Sequence, residues 1–211
     1  MMKSLDSVTK YPRHSRDDVV VAAIGILDEY GLPDLTMRRL AATLDVQPSA
    51  LYWHVTNKQT LLALIADRIL AGAPRTEHGT DWKMATRQQA GALRDALLAY
   101  RDGAEVVSST LALGLGAEDA AGRLAEAIAG GGFEARTSEL AADTLLHFIL
   151  GHASHEQQRI QADSLGVVTP ERSSSPDDVS TPTEDVDSFD FGVTLLLSGL
   201  DAQTRVRSDA H

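Results

Sequence analysis

The chain has 211 residues, 43% hydrophobic, 23% charged and 5% aromatic, with a formal net charge of −11 and no cysteine. That length can bury a substantial core, while the missing cysteines exclude a disulfide scaffold, a thiolate zinc site, an iron–sulfur cluster and a cysteine nucleophile. No apolar run approaches the ~18–20 residues of a membrane span and the first residues lack a signal-peptide core, so a cytoplasmic protein is expected.

Plentiful alanine, leucine and valine with few aromatics favours packed helices, and the expected fold class is all-α. The negative charge is unevenly spread. Residues 1–72 hold eight Lys/Arg and eight Asp/Glu, whereas residues 73–211 hold eleven basic and twenty-two acidic side chains. A neutral N-terminal unit can still present a basic face to phosphate; the acidic remainder would be repelled by it.

Residues 1–14 are polar and aperiodic and read as a flexible arm. Ser15 and Asp18 have capping-box spacing, and Val20, Ala23, Ile24 and Leu27 follow with helical period toward Gly31 and Pro33. Thr36 can cap a second short helix with Leu40, Ala41 and Leu44 inward. Asp45-Val46 breaks it, and Pro48 opens a third helix through His54. Thr56 and Gln59 offer another capping box, opening a long helix along Leu61, Leu62, Ile65 and Ile69 to Leu70, stopped by Gly72 and Pro74.

Further helices are expected over about 82–100, 104–113, 117–129, 137–161 and 189–200. The stretch 163–187, rich in serine, proline and acids, reads as a mobile loop. The predicted domains are thus an arm (1–14), a helix-turn-helix unit with its connecting helix (15–72) and a larger helical unit (73–211).

Function concentrates in LAATLDVQPSALYWHV, residues 40–55. Two short helices joined by a tight turn, with small Ala41 at their crossing, fit a helix-turn-helix. Leu40, Leu44, Val46, Leu51 and Val55 would line its interior. Asp45 takes the turn position, where it tolerates a left-handed backbone better than most residues. Pro48, Ser49, Ala50, Tyr52, Trp53 and His54 then face outward, slim enough at their start for a major groove ~12 Å wide. Lys58 and Arg38, each in the first turn of a helix, suit phosphate or a guanine edge.

Residues 15–72 resemble the DNA-binding domain of the TetR family of transcriptional repressors, in LTMRRLAATLDV and LYWHVTNKQTLLALIADRIL. ALLAYRDGAEV (96–106), HFILG (147–151) and Glu156-Gln157-Gln158 extend the resemblance to the tetracycline-repressor subfamily. The resemblance implies a homodimer, paired through the 137–161 and 188–205 helices, that binds a palindromic double-stranded operator and responds to a small organic effector. Carried over by position, operator contacts fall on Thr36, Met37, Arg38, Pro48, Ser49, Ala50, Tyr52, Trp53, His54 and Lys58. Met37 and the Pro48-Ser49-Ala50 run depart from the subfamily, which implies a different operator.

The implied effector contacts are Gln89, Leu93, Val107, Thr110, Leu111, His147 and His155. The subfamily's magnesium-binding histidine falls on Val107, which has no lone pair for a metal. Its pocket histidine at the end of the fourth helix falls on Pro74, and its metal-water glutamate on His155, or on Glu156 with one insertion. A rebuilt pocket with Leu93, Val107 and Leu111 points to a more apolar, polycyclic effector; a tetracycline with magnesium is the alternative. His152, His155 and Glu156 form H-x-x-H-E, a spacing that can chelate a transition metal but matches no metalloenzyme motif. No cofactor is expected. Nor is an enzyme: there is no nucleophile elbow, P-loop or dinucleotide fingerprint, and Gly130-Gly131-Gly132 reads as a helix end. A helical interaction protein without DNA binding is the competing class, distinguished by salt-insensitive association with DNA.

Overall fold

The computed structural model describes residues 14–75, 81–164, 166 and 188–208. The predicted arm, apart from His14, and most of the predicted loop lie outside the described residues. Among the described residues the regular structure is entirely helical: α1 (Arg16–Tyr30), a 3₁₀ turn (Leu32–Asp34), α2 (Met37–Thr43), α3 (Pro48–Leu51), α4 (Lys58–Ala71), α5 (Trp82–Leu98), α6 (Gly103–Leu111), α7 (Glu118–Ala129), α8 (Ala135–Ser164) and α9 (Ser188–Ser208). None of these helices is long and apolar enough to cross a membrane.

Local signals set most of the ends. Ser15 caps α1 in a reciprocal capping box with Asp18. The Ser15 N–H, followed by its hydroxyl, holds the Asp18 carboxyl below the usual aspartate range. Gly31 ends α1 at φ 86°, a left-handed backbone suited to glycine. Thr36 caps α2 by accepting from Arg39 N at 3.1 Å. Asp45 adopts the expected left-handed turn, φ 53°.

Three details depart from the sequence reading. The cap of α4 is Asn57, whose Oδ1 accepts from Thr60 N at 2.8 Å, instead of a Thr56–Gln59 box. Two capping patterns overlap by one residue there, and the amide oxygen takes the position while Thr56 bonds the Thr60 hydroxyl at 3.0 Å. The α-helical part of α3 closes at Leu51, and His54 N bonds back to Leu51 O at 2.9 Å in a tighter turn. At the other end of the chain, α8 runs to Ser164, past the expected start of the loop, and α9 to Ser208.

Leu40, Ala41, Leu51 and Val55 are at most 1% exposed and pack with Val19, Ala23, Leu27 and Leu61 into the core of the N-terminal head. Leu44, Val46, Ile24 and Leu62 are only half-buried at its margin. In the larger unit α7 and α5 pack along α8, and α9 crosses α5 and α8. Phe189 stacks on Phe148 there, with ring centroids 5.7 Å apart, and Lys83 bridges to Asp201 at 2.8 Å. Helix α4 packs against both α1 and α6 and so belongs to both units.

Candidate nucleic-acid interface and effector core

Burial of Leu51 and Val55 turns the side chains between them outward. Trp53 is 89% exposed and Tyr52 54%, more water contact than two aromatics would keep in an ordinary helical bundle. Pro48 and Ser49 are exposed at the start of α3, Ala50 and His54 half-buried. Pro48 sits in the first turn, where its missing N–H costs nothing.

At the start of α2, Thr36 and Arg38 are exposed while Met37 leans on the core. The neighbouring arginine behaves differently. Arg39 turns back to Asp34 at 2.9 Å and lies 4.1 Å above the Tyr30 ring, which occupies its charge within the head. Lys58, half-buried, is the first residue of α4. All ten residues expected to contact an operator therefore stand at the starts of α2 and α4 or along α3 and the turn after it.

The expected effector residues divide. Gln89, Leu93, Val107 and Thr110 are buried, at most 2% exposed, on α5 and α6, and Leu111 packs against the same core from partial exposure. His147 and His155 do not join them, because both lie on exposed positions of α8. His155 instead lines an open cleft of about 470 Å³ with Arg94, His152, Glu156 and Arg159. Pro74, at the position of the subfamily's pocket histidine, is exposed.

In that cleft Glu156 Oε2 accepts from Arg94 Nε and Nη2 at 3.0 and 2.8 Å, and lies 3.9 Å from His152 Nδ1. His152 Nε2 is 3.1 Å from Ser188 Oγ. The Glu156 carboxylate is given to the Arg94 guanidinium, so the His152–His155–Glu156 spacing is not a preformed chelate. Among the described residues no group of three His, Asp or Glu could hold a metal ion.

Sequence reasoning missed the joint between the units. Gln157, 8% exposed, accepts from Ala104 N at 3.2 Å and donates to Leu97 O at 3.0 Å and Tyr100 O at 2.8 Å. One amide thus holds the whole α5–α6 corner onto α8. Within that corner Asp102, left-handed at φ 55°, accepts from Leu32 N at 2.8 Å and from Gln161 Nε2 at 2.6 Å. Arg101 N donates to Asp28 and its guanidinium to Glu29 O. The YRDG segment therefore ties the end of α1 to α6 and α8. An aspartate directly before a glycine was the available signal; its partners lie 59 and 70 residues away and gave none.

A compact head whose second and third helices make a helix-turn-helix, joined by a shared helix to a larger helical body, defines a helix-turn-helix protein with a separate, larger helical unit. The chain belongs to the TetR family of transcriptional regulators: residues 19–65 match the model of bacterial regulatory proteins of the tetR family, and residues 73–204 the tetracycline repressor-like C-terminal domain. That is a family of regulators and not of enzymes.

The class E tetracycline repressor protein of Escherichia coli is 32% identical over 198 residues, covering 90% of this chain and 92% of its own. The crystal structure of Mycobacterium smegmatis BioQ is 39% identical with a TM-score of 0.78, covering 90% and 98% of the two chains. BioQ bound to its natural double-stranded DNA operator is 38% identical with a TM-score of 0.73, covering 89% and 98%.

Proposed function

We propose that this regulator is a repressor that binds a palindromic DNA operator as a homodimer and releases it when a small organic effector enters the 73–211 unit. The observation that carries the reading is the outward face around α3: Trp53 and Tyr52 are held in water while Leu40, Leu51 and Val55 are buried, and Arg38 is exposed at the start of α2. A relative of 38% identity has been crystallised on its DNA operator, which supports the same use of this face. In that role residues 15–72 read DNA, Arg38 and Lys58 bind phosphate or a guanine edge, and Tyr52, Trp53 and His54 meet phosphates and thymine methyls.

Dimerisation is assigned to α8 and α9. Leu140, Phe191 and Leu195 are 50–62% exposed there, and an open groove of about 1120 Å³ runs between the α7–α8 turn, the first part of α8 and α9. An apolar surface of this kind on paired helices suits a four-helix bundle with a second copy.

The effector site is assigned to the α5–α6 core around Gln89, Leu93, Val107, Thr110 and Leu111. One amide and one hydroxyl amid aliphatic side chains favour an apolar, polycyclic ligand. Opening this closed core would displace α6, and α6 reaches the head twice, through α4 and through the Asp102 corner. Switching the population from 1:99 to 99:1 requires about 5.5 kcal/mol of differential affinity. A second route beside α4 gives that preference more than one way to act on the spacing of the two heads.

The test is fluorescence anisotropy of labelled DNA from upstream of the gene, titrated with protein at several salt concentrations and then challenged with tetracycline, with and without magnesium. Tight binding with a steep negative salt slope is expected, unmoved by tetracycline. Release only with magnesium present would overturn the apolar-effector assignment, and salt-insensitive binding would overturn the DNA-binding role.

A further inference from the structure

Helix α3 is short for its task. Its α-helical part is four residues long, and its N-cap, Gln47, makes no side-chain capping bond. The turn before it passes through Asp45 at a left-handed φ of 53°, with Leu44 and Val46 only half-buried on either side. The backbone bonds of this turn run back into α2 and no further: Leu44 N to Leu40 O at 3.1 Å, Asp45 N to Ala42 O at 3.2 Å and Val46 N to Ala41 O at 3.0 Å. A half-buried turn built on a left-handed aspartate is weakly held by its own local bonds.

Among the described residues, one hydrogen bond reaches this turn from another element. His14 Nε2 lies 2.9 Å from the carbonyl oxygen of Leu44, thirty positions along the chain, and the imidazole is half-buried. A carbonyl oxygen only accepts, so Nε2 carries the proton and donates. Leu44 is the C-terminal cap of α2, where the last carbonyls of a helix lack partners of their own. His14 directly precedes Ser15, whose capping box with Asp18 starts α1. The ring thus staples the capped end of one helix to the carbonyl from which the turn into α3 departs.

We propose that His14 is a positioning residue for DNA binding: by holding Leu44 O it fixes the turn that aims α3, without touching DNA itself. This role rests on the DNA-binding reading above. A head whose recognition helix samples several poses binds only through the competent fraction, and apparent affinity falls by that fraction. A bond that sets the pose beforehand removes the loss. The net worth of one hydrogen bond corresponds to about threefold to tenfold in that fraction for each head. Two heads bound together square the factor, to about tenfold to hundredfold.

The experiment compares H14A and H14Q with the wild-type chain at pH 8, where free histidine is uncharged. The glutamine amide nitrogen has about the reach of Nε2 and can donate the same bond. Anisotropy on the upstream fragment between 50 and 200 mM salt should show H14A weaker by about tenfold or more, with the log–log salt slope unchanged and H14Q close to wild type. Hydrogen exchange without DNA should show the Asp45 and Val46 amides of H14A opening about threefold to tenfold more, while Val19–Leu27 of α1 keep their protection. Equal affinity of H14A and wild type would overturn the proposal, as would an H14Q variant as weak as H14A. A slope flattened by about 0.9 for each head would overturn it too, since His14 would then be a phosphate contact. If H14A also loses the protection of α1, the head has loosened as a whole, and H14Q against wild type decides. A wild-type chain that binds no duplex at any salt would overturn the DNA-binding role itself, while the exchange of Asp45 and Val46 still reports whether His14 holds the turn.

Discussion

Replacing Gln157 by leucine tests how the α5–α6 corner, which carries the contacts to the head, is held onto α8. The side chains are of similar size, so the change removes hydrogen bonds without opening a large cavity. Two backbone groups are left behind. Ala104 N loses its acceptor, and Leu97 O loses its donor, because the Arg101 N–H that would close the helical turn is given to Asp28. Tyr100 O keeps Gly103 N as a donor at 3.0 Å and is not orphaned. An unpaired buried backbone group costs about 1–3 kcal/mol, so Q157L should lose about 2–6 kcal/mol. Gln157→Glu should be no milder, since it keeps an acceptor for Ala104 N but sets a carboxylate against two carbonyl oxygens. Urea unfolding followed by circular dichroism, at one fixed protein concentration and with the slope checked for constancy, measures the loss. A change below about 0.5 kcal/mol in Q157L would refute the reasoning, because it would mean the corner is held without that amide.

Three further outcomes follow from other parts of the molecule. A Cβ on Gly103 would lie 2.4 Å from the Leu97 carbonyl oxygen, backbone that cannot move aside, so G103A should destabilise by about 1–3 kcal/mol in the same assay. Trp53→Ala should change stability by less than about 0.5 kcal/mol, the side chain being 89% exposed, yet weaken operator binding roughly tenfold or more in anisotropy titrations; equal affinity would remove Trp53 from the interface. Hydrogen bonding to Arg123, reinforced by the charges of Arg123 and Arg75, holds the Asp119 carboxyl below its usual range. Its contribution to stability is complete above the ordinary aspartate value of about 3.9 and is lost as pH falls through the lower folded value. Asp119→Asn should therefore flatten the acid limb of melting temperature against pH.

Much of this protein could be read along the chain because the deciding interactions are local. Ser15 with Asp18, Gly31, Thr36 and Pro48 set helix ends through groups within a few residues of themselves, and Asp45 takes its left-handed turn for the same reason. The spacing of Leu40, Leu51 and Val55 was enough to turn Tyr52 and Trp53 outward, so the candidate DNA face was legible before any tertiary contact was known. Even locally, overlapping signals could not be ranked: Asn57 displaced Thr56 as a cap by one residue.

Tertiary structure alone decided the rest. Arg38 and Arg39 are adjacent and chemically equal, and only the approach of Asp34 and Tyr30 removes one of them from the surface available to DNA. Helix α8 carries apolar residues around much of its girth, so its sequence could not say that Leu145 would be buried, Leu140 half exposed, and His147 and His155 outside the α5–α6 core. The Gln157 and Asp102 bonds join residues 53 to 70 positions apart. A polar side chain's partner at that distance is set by how helices pack, because burial obliges each backbone group to find whatever donor or acceptor the fold brings within reach.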